Sequence, residues 1–127
     1  SGGGIFAGAN LIELFKSRSM VEQTLLKPVA IGGSEISFAE MYIQLSKWRE
    51  KWSTDQKLAS IRFLPNSDRK QFSRAQDSIL GVIYQMISLN NLAVGQKDKK
   101  LDIITIVMKS ENENFDKYFT EALAKEV

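Results

Sequence analysis

"LDIITIVMKSENENFDKYFTEAL", residues 101–123, places a strand and a helix on either side of a short polar turn. Its first part is apolar on both alternating faces, with Ile103 and Val107 on one and Ile104, Ile106 and Met108 on the other. A two-sided apolar run predicts a central strand covered on both sides. Ser110 and Glu113 have the spacing of a capping box, which opens a helix. Phe115, Phe119, Ala122 and Leu123 then recur at helical period and face inward. A sheet and a helix must therefore pack together here, and the fold class is α+β.

Upstream, "LAVGQKDKK" at 92–100 supplies a short strand and a polar turn, so the long strand closes an antiparallel hairpin. "NSDRK" at 66–70 starts a long third helix, with Asn66 or Ser67 as its cap and a stripe of Phe72, Ala75, Ile79, Val82, Ile83, Met86 and Ile87. "ASIRFLP" predicts a short strand closed by Pro65. Ser37 and Glu40 form a capping box for a second helix running to about Trp52. Pro28 ends the first helix, 29–31 reads as a short strand, and Gly32-Gly33 as a turn. Asn10 and Glu13 cap that first helix.

The expected architecture is four helices packed on a small mixed sheet of about three or four strands. Residues 1–9 read as a flexible glycine-rich lead and 10–127 as a single domain. The last helix runs into "EALAKEV" with no Gly, Asn or Pro to stop it. It reads as a truncated helix in a fragment of a longer protein.

The first helix, "LIELFKSRSMVEQTLL" at 11–26, carries a conflict. As one continuous helix it puts Arg18 and Glu22 inside the apolar arc of Leu11, Leu14, Phe15, Val21, Leu25 and Leu26. The pair has (i, i+4) spacing with the cation first, the less helpful order for an isolated helix. Three readings stand: a staple from Arg18 to another segment, a subunit interface, or a ligand contact.

The net charge of +2 gives no field to recruit nucleic acid or acidic lipid. With no Cys and no His, thiol and imidazole nucleophiles, a histidine base and the usual zinc sets are absent. No apolar run approaches a membrane span of roughly 18 residues. "GGGIFAG" is glycine-rich before a helix, but lacks the phosphate-cradle spacings, so a flexible lead is the competing reading. Glu111, Glu113 and Asp116 could hold a metal or do acid–base work, or simply complement the first turn of a helix. "KDKK" at 97–100 reads as a solvated turn. Trp48 and Trp52, one turn apart, suit core or subunit packing, or a sugar platform. No catalytic, cofactor or metal site is expected. Lys16, Arg18, Glu22, Trp48 and Trp52 are the structural or interface candidates.

"LIELFKSRSMVEQTLL" resembles the helix near the start of the extracytoplasmic domain of Wzz-type chain-length determinants, the polysaccharide co-polymerases. The shared features are Lys16-Ser17-Arg18 and the closing Leu25-Leu26. "LDIITIVMKSENENFDKYFTEAL" is similar to that family's strand, polar turn and helix. It departs from the family with Asn112-Glu113 where Asp-Pro is common, and Asp116 where a small Ala is usual. "MYIQLSKWREKW" and "QFSRAQDSILGVIYQMI" look like the family variant with two inserted helical segments. The resemblance implies a membrane-proximal α/β base facing the periplasm, with inner-membrane spans and a helical arm outside this sequence. It also implies a non-enzymatic, cofactor-free ring that sets O-antigen, capsule or exopolysaccharide length, with a membrane polymerase and the growing glycan as partners. The alternative is a soluble adaptor or sugar-binding module.

Overall fold

The computed structural model describes residues 11–98 and 103–126. Residues 11–16 form a helical turn (α1), followed by α2 (Arg18–Leu25), β1 (Pro28–Ile31), β2 (Ser34–Ser37), α3 (Phe38–Ser46), α4 (Trp48–Lys51) and α5 (Gln56–Ala59). A 3-10 turn (Arg69–Gln71) leads into α6 (Arg74–Asn90), β3 (Leu92–Asp98), β4 (Ile103–Met108) and α7 (Glu113–Ala124). The class is α+β.

The helices share one core. α2 touches α3, α6 and α7. Val21 and Leu25 of α2, Ile83 and Ile87 of α6, and Phe115, Phe119 and Leu123 of α7 are completely buried. Each such side chain contributes roughly 1.5–3 kcal/mol of burial free energy. The Phe115 and Phe119 rings stack at 5.5 Å, and Phe38 meets both edge-on.

The strands differ from the expected mixed sheet. They make two separate antiparallel ribbons, β1–β2 and β3–β4. The first turns at Gly32 and Gly33, with φ of 55° and 85°. A two-residue hairpin loop with positive φ at both positions is the primed turn that matches strand twist. Gly33→Ala should lower stability by about 1 kcal/mol, since a Cβ there has space but strains the backbone. Thermal melts of the two proteins check it.

The second ribbon corrects the reading of 101–109 as a central strand. Among the described residues β4 pairs with β3 alone. Leu92, Val94, Ile104 and Ile106 pack on the core, while Ile103 and Val107 on the opposite face stay exposed. The helices cover only one face of the ribbon.

Three expected helices are also divided. Ser17 adopts extended geometry (φ −66°, ψ 148°), so the stretch 11–26 breaks and restarts. Ser17 Oγ donates to Leu14 C=O at 2.7 Å and accepts the Met20 N–H, capping both pieces. The helix expected from Ser37 to Trp52 breaks at Lys47, which is left-handed with φ 57°. The third helix begins later than expected. Asp68 caps only the 3-10 turn, and Ser73 with Gln76 forms the capping box of α6. Val82 and Met86 of the expected inward stripe are partly exposed on α6, and Leu80 is buried instead. "ASIRFLP" forms no strand: residues 61–64 are irregular and pair with no described strand. Asn10, the glycine lead and Lys99-Lys100 of "KDKK" lie outside the described residues.

Candidate functional site

Two buried carboxylates organise the polar interior. Glu40 and Glu22 are the only acidic residues buried among those described. Ionised carboxylates removed from water require charged or hydrogen-bonding partners, and each has a distinct set.

Glu40 acts on the irregular segment 61–64. Ser37 accepts the Glu40 N–H at 3.1 Å, so half of the predicted capping box forms. The other half does not, because the Glu40 carboxylate turns inward. Its Oε1 accepts the Phe63 N–H at 2.7 Å, and Ser37 Oγ donates to Phe63 C=O at 2.7 Å. Two side chains thus satisfy both backbone groups of a buried residue, as a neighbouring strand otherwise would. Arg49 completes the arrangement, donating from Nη1 to Oε2 at 2.8 Å and from Nη2 to Oε1 at 3.1 Å. Arg49 Nη2 also donates to Ile61 C=O. In a continuous helix, residues 40 and 49 would be separated by about 13 Å along the axis. The left-handed Lys47 redirects α4 and brings Arg49 back onto Glu40.

Glu22 resolves the conflict in the first helix. The break at Ser17 makes Arg18 the first residue of α2, one turn before Glu22 on the same side of the helix, and from that end its long side chain reaches solvent while Glu22 stays buried. The Glu22 side chain is 1% exposed, against 59% for Arg18. Arg18 Nε lies 3.3 Å from each carboxylate oxygen, within its own helix. The tie to another segment comes from Arg69, whose Nη2 is 2.7 Å from Glu22 Oε1. The staple expected of Arg18 is therefore made by Arg69. Arg18 instead lies over α6, where a Cβ at Gly81 would come within 2.9 Å of its Nη2. Lys16 is exposed, and its carbonyl accepts the Tyr84 hydroxyl at 3.2 Å.

Trp48 and Trp52 are half-buried with ring centroids 5.6 Å apart, and Trp48 meets Tyr42 edge-on at 5.6 Å. Tyr42 in turn contacts Phe115, so the tryptophans extend the aromatic core to the surface. Tyr42 also borders a cleft of about 680 Å³ lined by Asn91, Lys109, Ser110, Glu111 and Asn112. Burial raises its phenol pKa above the usual 10.0. The folded state then holds its proton where the unfolded chain releases it, so this contribution to stability is complete below about pH 10 and is lost as pH rises through the folded value. Tyr42→Phe should flatten the alkaline fall in stability, read from denaturant midpoints at pH 9 to 11.

Of the three clustered carboxylates, Glu111 and Glu113 are exposed. Asp116 accepts from Ser110 Oγ at 2.6 Å and from its N–H at 3.0 Å. Ser110 is held by Asp116, and Asn112 takes over as the cap of α7 by accepting the Phe115 N–H at 2.9 Å. The capping box expected from Ser110 and Glu113 is replaced by this arrangement. Among the described residues no group of three acidic side chains is placed to hold a metal, and no helix is long and apolar enough to cross a membrane. Sequence reasoning missed Arg49 and Arg69, because each partner lies across a break or on a distant loop. Comparison with family models, curated proteins and solved structures finds no match.

Proposed function

We propose that this chain is the α/β base of a Wzz-type polysaccharide co-polymerase, a non-catalytic regulator of O-antigen, capsule or exopolysaccharide chain length. In this reading it faces the periplasm from the bacterial inner membrane and assembles as a ring beside a membrane polymerase and the growing glycan. The supporting observation is that the two stretches carrying the resemblance fold against each other. α2 touches α7, and Val21, Leu25, Phe115, Phe119 and Leu123 form one fully buried cluster. The use of Glu22, Glu40 and Asp116 in structural ion pairs and hydrogen bonds accords with a scaffold role.

A second reading, a sugar-binding module, draws on the cleft where Tyr42 stands beside Asn91, Lys109 and Asn112. Aromatic faces next to amides and charges suit a hydroxyl-rich ligand.

Removing the gene and resolving the cell's polysaccharides on a gel tests the proposal. Loss of the modal length, with sugar synthesis intact, is the expected result. An unchanged ladder overturns it, and glycan binding by the purified chain would then favour the second reading.

A further inference from the structure

The β3–β4 ribbon has two edges that differ in kind. Lys109 N–H donates to Asn91 C=O at 2.9 Å, which sets the alternation of the ladder. With Ala93 opposite Val107 and Gly95 opposite Thr105, residues 105 and 107 turn their backbone groups toward β3. Ile104, Ile106 and Met108 turn theirs outward, and no described backbone group pairs with them. Natural proteins blunt such edges with charges, bulges or proline. β3 has a bulge between Gln96 and Asp98, and its sequence includes Lys97 and Asp98. β4, "IITIVM", has no charge, no proline and no bulge.

We infer that the outer edge of β4 pairs antiparallel with β4 of a second copy of this chain, about a two-fold axis at Thr105. The outward backbone groups dictate the register. Ile104 and Ile106 exchange hydrogen bonds with Ile106 and Ile104 of the other copy, four bonds in all by symmetry. Thr105 faces its own counterpart in a non-hydrogen-bonded pair, flanked on the same face by Ile103 against Val107 and Val107 against Ile103. Every facing pair joins two β-branched side chains, the combination that stabilises cross-strand contacts. The exposed Ile103, 52% accessible, and Val107 gain apolar neighbours on the uncovered face.

The strand pair joins residues 103–107 of each copy, is about 17 Å long and lies at or below the low end of specific interfaces. The dimer is therefore weak, with Kd on the order of 100 µM. The contact is isologous and closes at two copies, so it is distinct from the head-to-tail contact of a ring and independent of the functional reading above.

The chain contains no cysteine, so one introduced thiol reports one position. In a non-hydrogen-bonded antiparallel pair, Cα atoms lie about 4.5 Å apart, within disulfide range. Thr105→Cys should cross-link to a dimer under mild oxidation at least about tenfold faster than Ser34→Cys, on the exposed end of the other hairpin. In sedimentation of the cysteine-free chain from micromolar to millimolar concentration, a reversible dimer should appear. Thr105→Lys, which sets two ammonium groups face to face, should weaken it about tenfold or more with an unchanged circular dichroism spectrum. A chain that stays monomeric at millimolar concentration, equal cross-linking at the two thiols, or a dimer indifferent to Thr105→Lys each overturns the inference. The polysaccharide ladder bears on none of these readouts, so failure here leaves the functional proposal standing.

Discussion

Glu40→Ala should destabilise the domain by about 3–5 kcal/mol, the range for removing one partner of a buried ion pair. Three losses coincide. Arg49, with only 23% of its side chain exposed, keeps its charge and loses both carboxylate hydrogen bonds. The Phe63 N–H, buried beneath α3, loses its acceptor. The segment 61–64, which pairs with no described strand, then keeps the bonds to its carbonyls from Ser37, Arg49 and Gln76 but loses the acceptor for its buried N–H. A domain of this size has about 5–15 kcal/mol in total, so the variant should melt at least 10 °C lower. Glu40→Gln separates the contributions. Its amide oxygen can still accept from Phe63 but carries no charge for Arg49, so it should lose about half as much. Equal losses for Ala and Gln would assign the whole effect to the ion pair. A melt unchanged in Glu40→Ala would show that apolar packing of Ile61 and Phe63 and the remaining hydrogen bonds suffice to hold the segment.

The readable parts of this fold are local. The apolar run at 103–108 and the helical spacing of Phe115, Phe119 and Leu123 were sufficient for α+β, and Gly32-Gly33 sufficed for the first hairpin. The breaks at Ser17 and Lys47 were missed. Apolar periodicity runs through both, and neither position is a glycine or proline. Ser17 could have signalled its break, because a serine within a helical pattern can cap a restarted helix. Lys47 carried no comparable signal. The exposure of Arg18 followed from the missed break, since the restart at Ser17 puts it at the open first turn of α2 rather than in the middle of a long helix. The strand status of 61–64 and of β4 was undecidable for a different reason. A strand's place in a sheet depends on what lies beside it, and here side chains from Ser37, Glu40 and Arg49 occupy that place for 61–64. The carboxylate partners show the same limit: Glu22 is met by an arginine 47 positions later, which no spacing rule reaches.

Arg69→Ala should cost more than Arg18→Ala, the reverse of what the linear pattern suggests. Glu22 is almost fully buried, so its charge depends on whichever cation remains. Arg69 approaches to 2.7 Å from the 3-10 turn and ties that turn to α2. Its loss leaves Glu22 with Arg18 alone, at 3.3 Å and 59% exposed, where water screens the interaction. About 2–4 kcal/mol should be lost in Arg69→Ala, and about 1 kcal/mol or less in Arg18→Ala. The two cations share one carboxylate, so their effects should not add. The double variant should lose more than the sum of the single losses, because Glu22 is then without either charged partner. Glu22→Leu provides the opposing check. It removes the buried charge and places apolar volume beside Val21 and Leu25, so in the Arg69→Ala background it should recover much of the lost stability. Denaturant midpoints for the set decide the matter. If Arg18→Ala proved the more damaging single change, the exposed pair within α2 would carry the interaction, and Arg69 would be a surface contact of little weight.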